Sequence, residues 1–200
     1  MRRNTPKIKE DLQPFFIEDN LVMDCEIHED IDVYVREYSG CRFDHVHFFL
    51  EDLSHSSFID CIFLNCDFSN LNLSNSSIVR CEFYNCKLSG TNLSKCFIKE
   101  ILFSSCALPY ITFGEAKMEK IEFNQCNLSE CYFASTKLKE MIFEYCDLSK
   151  MEVYATSFKG INLSTSNING ISISIQDLSR ATINADQAIL VAMMLGMKVK

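Results

Sequence analysis

No stretch of this sequence approaches the roughly 18 consecutive apolar residues that a membrane-spanning helix needs, so no transmembrane segment is expected. No apolar core follows the arginines of Met1-Arg2-Arg3-Asn4-Thr5-Pro6-Lys7 either, so no secretory signal is read there and a cytosolic location is expected. Positive charge is scarce: 19 Lys and Arg stand against 27 Asp and Glu, a net of −8. That sign argues against direct nucleic-acid binding but suits a partner whose own surface is basic. A glycine-rich phosphate loop, a nucleophile elbow and a Ser/His/Asp arrangement are all missing, so no enzyme and no cofactor are expected.

Cysteine, by contrast, is abundant at eleven residues. Without a secretion signal these read as buried thiols in a reducing compartment rather than as disulfides. Cys61/Cys66, Cys81/Cys86 and Cys126/Cys131 are spaced more widely than zinc ligand pairs, so no metal site is read. His45, His47 and His55 fall at outward positions and read as solvated.

The dominant feature is a period of five. From Phe43 to Ile183 every fifth residue is apolar, 29 in succession with no insertion. A helix turns by about 140° in five residues, and a strand presents residues five apart on opposite faces. The pattern works only if the chain turns a corner once per five residues. If the large apolar residue is i, residue i−2 also points inward, and ten of the eleven cysteines occupy it. Positions i+1 and i+2 carry turn formers such as Ser69-Asn70 and Ser89-Gly90. Glu51 stands at an i−2 position, which calls either for a hydrogen bond inside a widened coil or for a distorted coil that exposes it.

Four corners close a coil of twenty residues, and stepping by twenty tests this. Phe43, Phe63, Phe83, Phe103, Phe123 and Phe143 form an all-Phe column, and Cys66, Cys86, Cys106, Cys126 and Cys146 form an i−2 column. Like stacks on like because each coil repeats the environment of the last. The expected fold is all-β: a quadrilateral β-helix over residues 41–183. Its coils should lie about 4.8 Å apart.

Residues 1–40 are expected to hold an N-terminal cap, a first irregular coil and a projecting acidic loop. Ile17, Val22 and Ile27 keep a frame displaced by one residue from that of Phe43, and 28–40 lacks the motif. The segment reads equally as a functional loop or as an accidental insertion. Residues 184–200 suit a short helix capped by Asn184 or Asp186 and stopped at Gly196, with a tail. Its apolar run continues on every side, more than one end cap needs. It therefore suggests a homodimer through Ile189, Leu190, Met193, Met194 and Leu195.

Tandem stretches such as Cys66-Asp67-Phe68-Ser69-Asn70-Leu71-Asn72-Leu73-Ser74 resemble the pentapeptide-repeat proteins. The segment Ile183-Asn184-Ala185-Asp186-Gln187-Ala188-Ile189-Leu190, with Leu195-Gly196 beyond it, is similar to the tail of the Qnr-type quinolone-resistance members. That resemblance implies a right-handed quadrilateral β-helix dimerised through C-terminal helices. It further implies binding to DNA gyrase or topoisomerase IV, protection from fluoroquinolones, and a DNA-mimicking surface. The second, larger loop of the plasmid-borne members is absent, because the repeat runs unbroken through that region. A pentapeptide-repeat scaffold for another cytosolic partner is the alternative.

Sorted by side, Asp44, Glu82, Glu122 and Glu144 line the Phe column against Arg42 alone. A second side mixes lysines with acids and reads as solvated. Together with Asp30, Asp32 and Glu37 near the N-terminal end, those four carboxylates are the candidate partner-binding residues.

Overall fold

The computed structural model describes residues 3–14, 17, 21–31, 35–49 and 51–199. It is a parallel β-solenoid of about seven turns. Every fifth residue packs into a single core, and the corner two residues later takes a left-handed backbone. Asn65, Asn70, Asn75 and Asn85 have φ of 53°, 60°, 60° and 53°, which is why the corners favour Asn and Gly over β-branched residues.

The coils stack in register at twenty residues: Phe63 pairs with Phe83, and Phe103 with Phe123. Ring centroids follow at 4.6 Å for Phe63–Phe83, 4.8 Å for Phe83–Phe103 and 4.9 Å for Phe103–Phe123. The strand spacing thus sets a stacking distance that aromatic rings tolerate well.

Inward i−2 positions hold short donors for a reason beyond size. Cys86 Sγ donates to the Phe63 carbonyl at 3.5 Å, Thr91 Oγ1 to Phe68 at 2.8 Å and Thr136 Oγ1 to Phe113 at 2.7 Å. Each donor reaches the carbonyl of an apolar residue one coil earlier. Cys, Ser and Thr satisfy a buried acceptor there without adding bulk.

The beginning departs from the later repeat. Ile27 aligns with Phe43 and Leu21 with Glu37, sixteen positions on (43 minus 27), where later coils take twenty. Sixteen is one more than three pentapeptides, and that remainder is the one-residue frame shift seen in the sequence. The described residues on either side of 32–34 stay in the solenoid. Ile31 bridges to Phe48, and Glu37–Ser39 pairs with both Leu21–Met23 and Ser57–Ile59. The step between these coils is thus four residues shorter than in later ones, and residues 32–34 of the expected loop lie outside the described residues. Asp32 lies outside the described residues. Glu51 is exposed beside an exposed Phe49, yet its carbonyl still accepts from Asn72 N at 3.0 Å. The coil is distorted there rather than widened around a buried acid.

A seam crosses two sides farther along. Strand Lys137–Glu144 pairs with Lys117–Asn124 on one edge and with no described strand on the other. In earlier coils the amides of Ile62, Glu82 and Leu102 bond to Cys41, Cys61 and Cys81 carbonyls. The matching bond from Asn162 to Met141 is absent among the described residues. After Phe158 these sides adopt the tight turns that earlier coils use elsewhere, and Phe158, Gly160 and Leu163 amides bond onward to Asp177, Arg180 and Thr182. A groove of about 370 Å³ opens between Met141–Tyr145 and Gly160–Thr165. Native-state hydrogen exchange is expected to show the Asn162 amide exchanging at least about tenfold faster than those of Glu82 and Leu102. Equal protection would mean the seam closes in solution.

Candidate interaction surfaces

The C-terminal helix Ala185–Met194 is fixed at both ends by its own sequence. Asn184 accepts from Gln187 N at 2.9 Å while Gln187 Oε1 accepts from Asn184 N at 2.9 Å, a capping box. The buried Gln187 also donates through Nε2 to the Leu163 and Ser166 carbonyls at 2.9 and 2.7 Å. One side chain therefore caps the helix and joins it to a coil carbonyl row. Gly196, at φ +78°, ends the helix with Gly196 N on Met193 O and Met197 N on Ala192 O.

Leu190 and Val191 pack against the core as a lid. Ile189, Met193, Met194 and Leu195 are exposed and continue into exposed Met197 and Val199. The five apolar residues expected to make a dimer thus divide: four face solvent, while Leu190 is half-buried.

The acids expected to meet a partner do not form one surface. Asp44, Glu122 and Glu144 line the Phe-column side at half-buried or exposed positions. Asp44 lies 2.8 Å from His45 Nδ1. Glu37 is exposed on its strand, and Asp30 is exposed and accepts from His47 N at 2.7 Å. Glu82 is different. It is buried, with Arg3 Nη1 on Oε1 at 2.7 Å and Tyr84 Oη on Oε2 at 2.9 Å.

That arginine belongs to a feature the repeat pattern hid. Residues 3–9 run along one corner of the rod. Asn4 Nδ2 donates to both Glu100 carboxylate oxygens at 2.9 and 3.0 Å, the Lys7 amide to Asp60 Oδ1 at 3.0 Å, and Lys9 Nζ to Asp24 Oδ2 at 2.6 Å. Burial works to raise the Asp60 carboxyl, but the Arg80 side chain, the Lys7 amide and both positive charges outweigh it and hold it below the ordinary range. At Glu100 burial likewise pushes the carboxyl up, and Asn4 and Lys120 outweigh it and hold it below the ordinary range. Stepping by twenty through the corner residues would have revealed the pattern, since Asp60, Arg80, Glu100, Lys120 and Glu140 alternate in sign. Similar inter-coil pairs join Lys99 to Glu119 at 3.6 Å and Glu119 to Lys139 at 3.0 Å. The lysine-rich side is thus laced to its own acids.

All eleven cysteines are buried. Burial pushes the thiols of Cys96 and Cys146 up to about 11 from an ordinary value of 9.0, and it also raises Tyr38. The folded state therefore holds these protons more tightly than the unfolded chain does. Their contribution is complete below about pH 9 and is lost as pH climbs toward about 11. Melting temperature in reducing buffer is expected to stay level from about pH 7 to 8.5 and to fall above about pH 9. The buried thiols should stay unreactive to Ellman's reagent at neutral pH and react once urea unfolds the chain. Rapid native reaction would contradict this burial.

Stacked twenty-residue coils with corner-forming pentapeptides define a class of parallel β-solenoid. A family model described as pentapeptide repeat region matches residues 36–113 and, overlapping, 56–133. The chain belongs to the pentapeptide-repeat proteins. Among solved structures it is similar to a trypsin-treated variant of QnrB1, a plasmid-mediated fluoroquinolone resistance protein. Identity is 19%, covering 90% of this chain and 91% of that one, with a TM-score of 0.49. It is also similar to HetL, a pentapeptide-repeat protein involved in heterocyst differentiation regulation in Nostoc sp. strain PCC 7120. There identity is 13%, coverage 81% and 86%, and the TM-score 0.33. Identities this low bear on the fold alone. Comparison with curated protein sequences yields no match. No helix of the described residues is long and apolar enough to cross a membrane.

Proposed function

We propose that this chain is a non-catalytic binding protein that acts, as a homodimer joined through its C-terminal helices, on a type II topoisomerase. DNA gyrase or topoisomerase IV is the partner, and the effect is protection from quinolones. The observation that carries this reading is the helix Ala185–Met194. The segment whose sequence is similar to Qnr tails is also the one that leaves Ile189, Met193, Met194 and Leu195 uncovered. An apolar surface at the tip of a rod calls for a second copy.

The acids support partial mimicry of DNA at most. Glu82 and Glu122 are 40 residues apart, two coils, so that acidic column carries one carboxylate in about 10 Å. Duplex DNA carries a charge every 1.7 Å or so. At that density the acids steer a basic partner rather than replace a duplex.

Gyrase supercoiling with ciprofloxacin, with and without the protein, tests the proposal. Rescue at micromolar protein is expected; its absence would overturn the reading. A second reading, a scaffold for another cytosolic protein, is favoured by exposed Tyr110, Tyr132 and Tyr154. A pull-down that returns a reproducible partner and no topoisomerase subunit would select it.

A further inference from the structure

We propose that the corner through Asp24, Asp60 and Glu100, with Glu82 on the strand beside it, is a docking track for extended basic peptide segments of a partner protein, held in this structure by residues 3–9 as a ligand in cis. The fit is stereochemical as well as electrostatic. From Asp24 to Glu100 the track climbs four coils, about 19 Å at strand spacing. The six residues Asn4 to Lys9, five steps of extended chain, span about 17 Å, and a lysine side chain supplies the remainder. The contacts divide between both kinds of donor. Arg3, Asn4 and Lys9 use side chains, and Lys7 uses its amide. The track therefore reads an extended backbone together with its charges.

The bound segment is a lightly held occupant. Apart from the Arg3 side chain, 11% exposed, residues 3–14 are half-buried or exposed, and among the described residues ladder pairing with the solenoid begins only at Gln13. Arg3 Nε is enclosed without a hydrogen-bond partner, so the cis sequence does not fully complement the site. Lys9 is 67% exposed, where an ion pair contributes little. Beneath the segment the coils close their own ladders, with Asp60 N on Val79 O and Arg80 N on Lys99 O. Lifting residues 3–9 therefore breaks polar contacts and opens no core. Arg80 and Lys120 lie among the acids, each already paired, to Asp60 at 2.7 Å and to Glu100 at 3.3 Å. A partner must place its cations at the gaps between them, and that requirement supplies selectivity.

The test uses the full chain and no topoisomerase, so its outcome is separate from that of the gyrase assay. Arg3→Glu, Asn4→Asp and Lys9→Glu together repel the segment from the track. A fluorescein-labelled peptide of residues 1–12 is then titrated by anisotropy. The triple variant should bind it about tenfold or more tighter than wild type, because wild-type sites are occupied in cis. Adding Glu82→Gln and Glu100→Gln should abolish that gain. Equal binding by wild type and variant, or a gain that survives loss of both carboxylates, overturns the proposal. In the wild-type chain, independently of any variant, the Lys7 amide should exchange at least about a hundredfold faster than that of Leu102. Protection equal to the core would show a permanent part of the fold and would also overturn it.

Discussion

Phe103→Ala is expected to lower the unfolding free energy by about 3–5 kcal/mol, read from equilibrium urea denaturation. Phe103 is 1% exposed and its ring lies between Phe83 and Phe123, at 4.8 and 4.9 Å. Removing it takes a stacking partner from two rings at once. The neighbours cannot collapse into the space, because strands on both sides pin the coil backbone in register. The cost should therefore fall at the full cavity value rather than the relaxed one. A solenoid couples each coil only to its neighbours, so a weakened middle coil should also lower the urea m-value as the two halves begin to unfold separately. A loss below about 1 kcal/mol would mean the coils adjust far more freely than in-register pairing allows.

The repeat made the fold readable because every coil poses the same packing problem. Phe at 63, 83, 103 and 123 announces both a corner every five residues and a stack every twenty. Where the coil departs from twenty residues, the same logic reached less far. Between Ile27 and Phe43 the sixteen-residue step registers in the sequence only as a frame shift, and pairing of Glu37–Ser39 on both edges is what shows the coils stacked across it. The surface was harder to read for a different reason. Sorting charges by side treats each residue alone, whereas Glu82 and Glu100 are defined by Arg3 and Asn4, 79 and 96 positions away. Nothing periodic marks residues 3–9, so repeat analysis passes over them. The seam at Asn162 was equally silent, since Phe158 and Leu163 keep the apolar period while the turn geometry around them changes.

Ile189→Asp combined with Met193→Asp is expected to convert a dimer into a monomer of half the mass by light scattering, with the solenoid still folded. The two positions lie one turn apart on the exposed stripe of the helix. In a two-fold dimer each substitution appears twice, so four carboxylates enter one apolar interface. An uncompensated buried charge costs about 3–5 kcal/mol, and two or more such penalties are enough to take a nanomolar dimer into the millimolar range. Leu190→Asp with Met194→Asp is the weaker choice. Leu190 packs on the core as part of the lid, and a charge there would unfasten the last coil and confuse loss of fold with loss of dimer. Circular dichroism and melting of the Ile189→Asp, Met193→Asp protein should stay near wild type, and the proposed gyrase protection should fall with the dimer. A dimer that survives both charges would place the two-fold axis elsewhere on the rod, and the uncovered helix would then need a different partner.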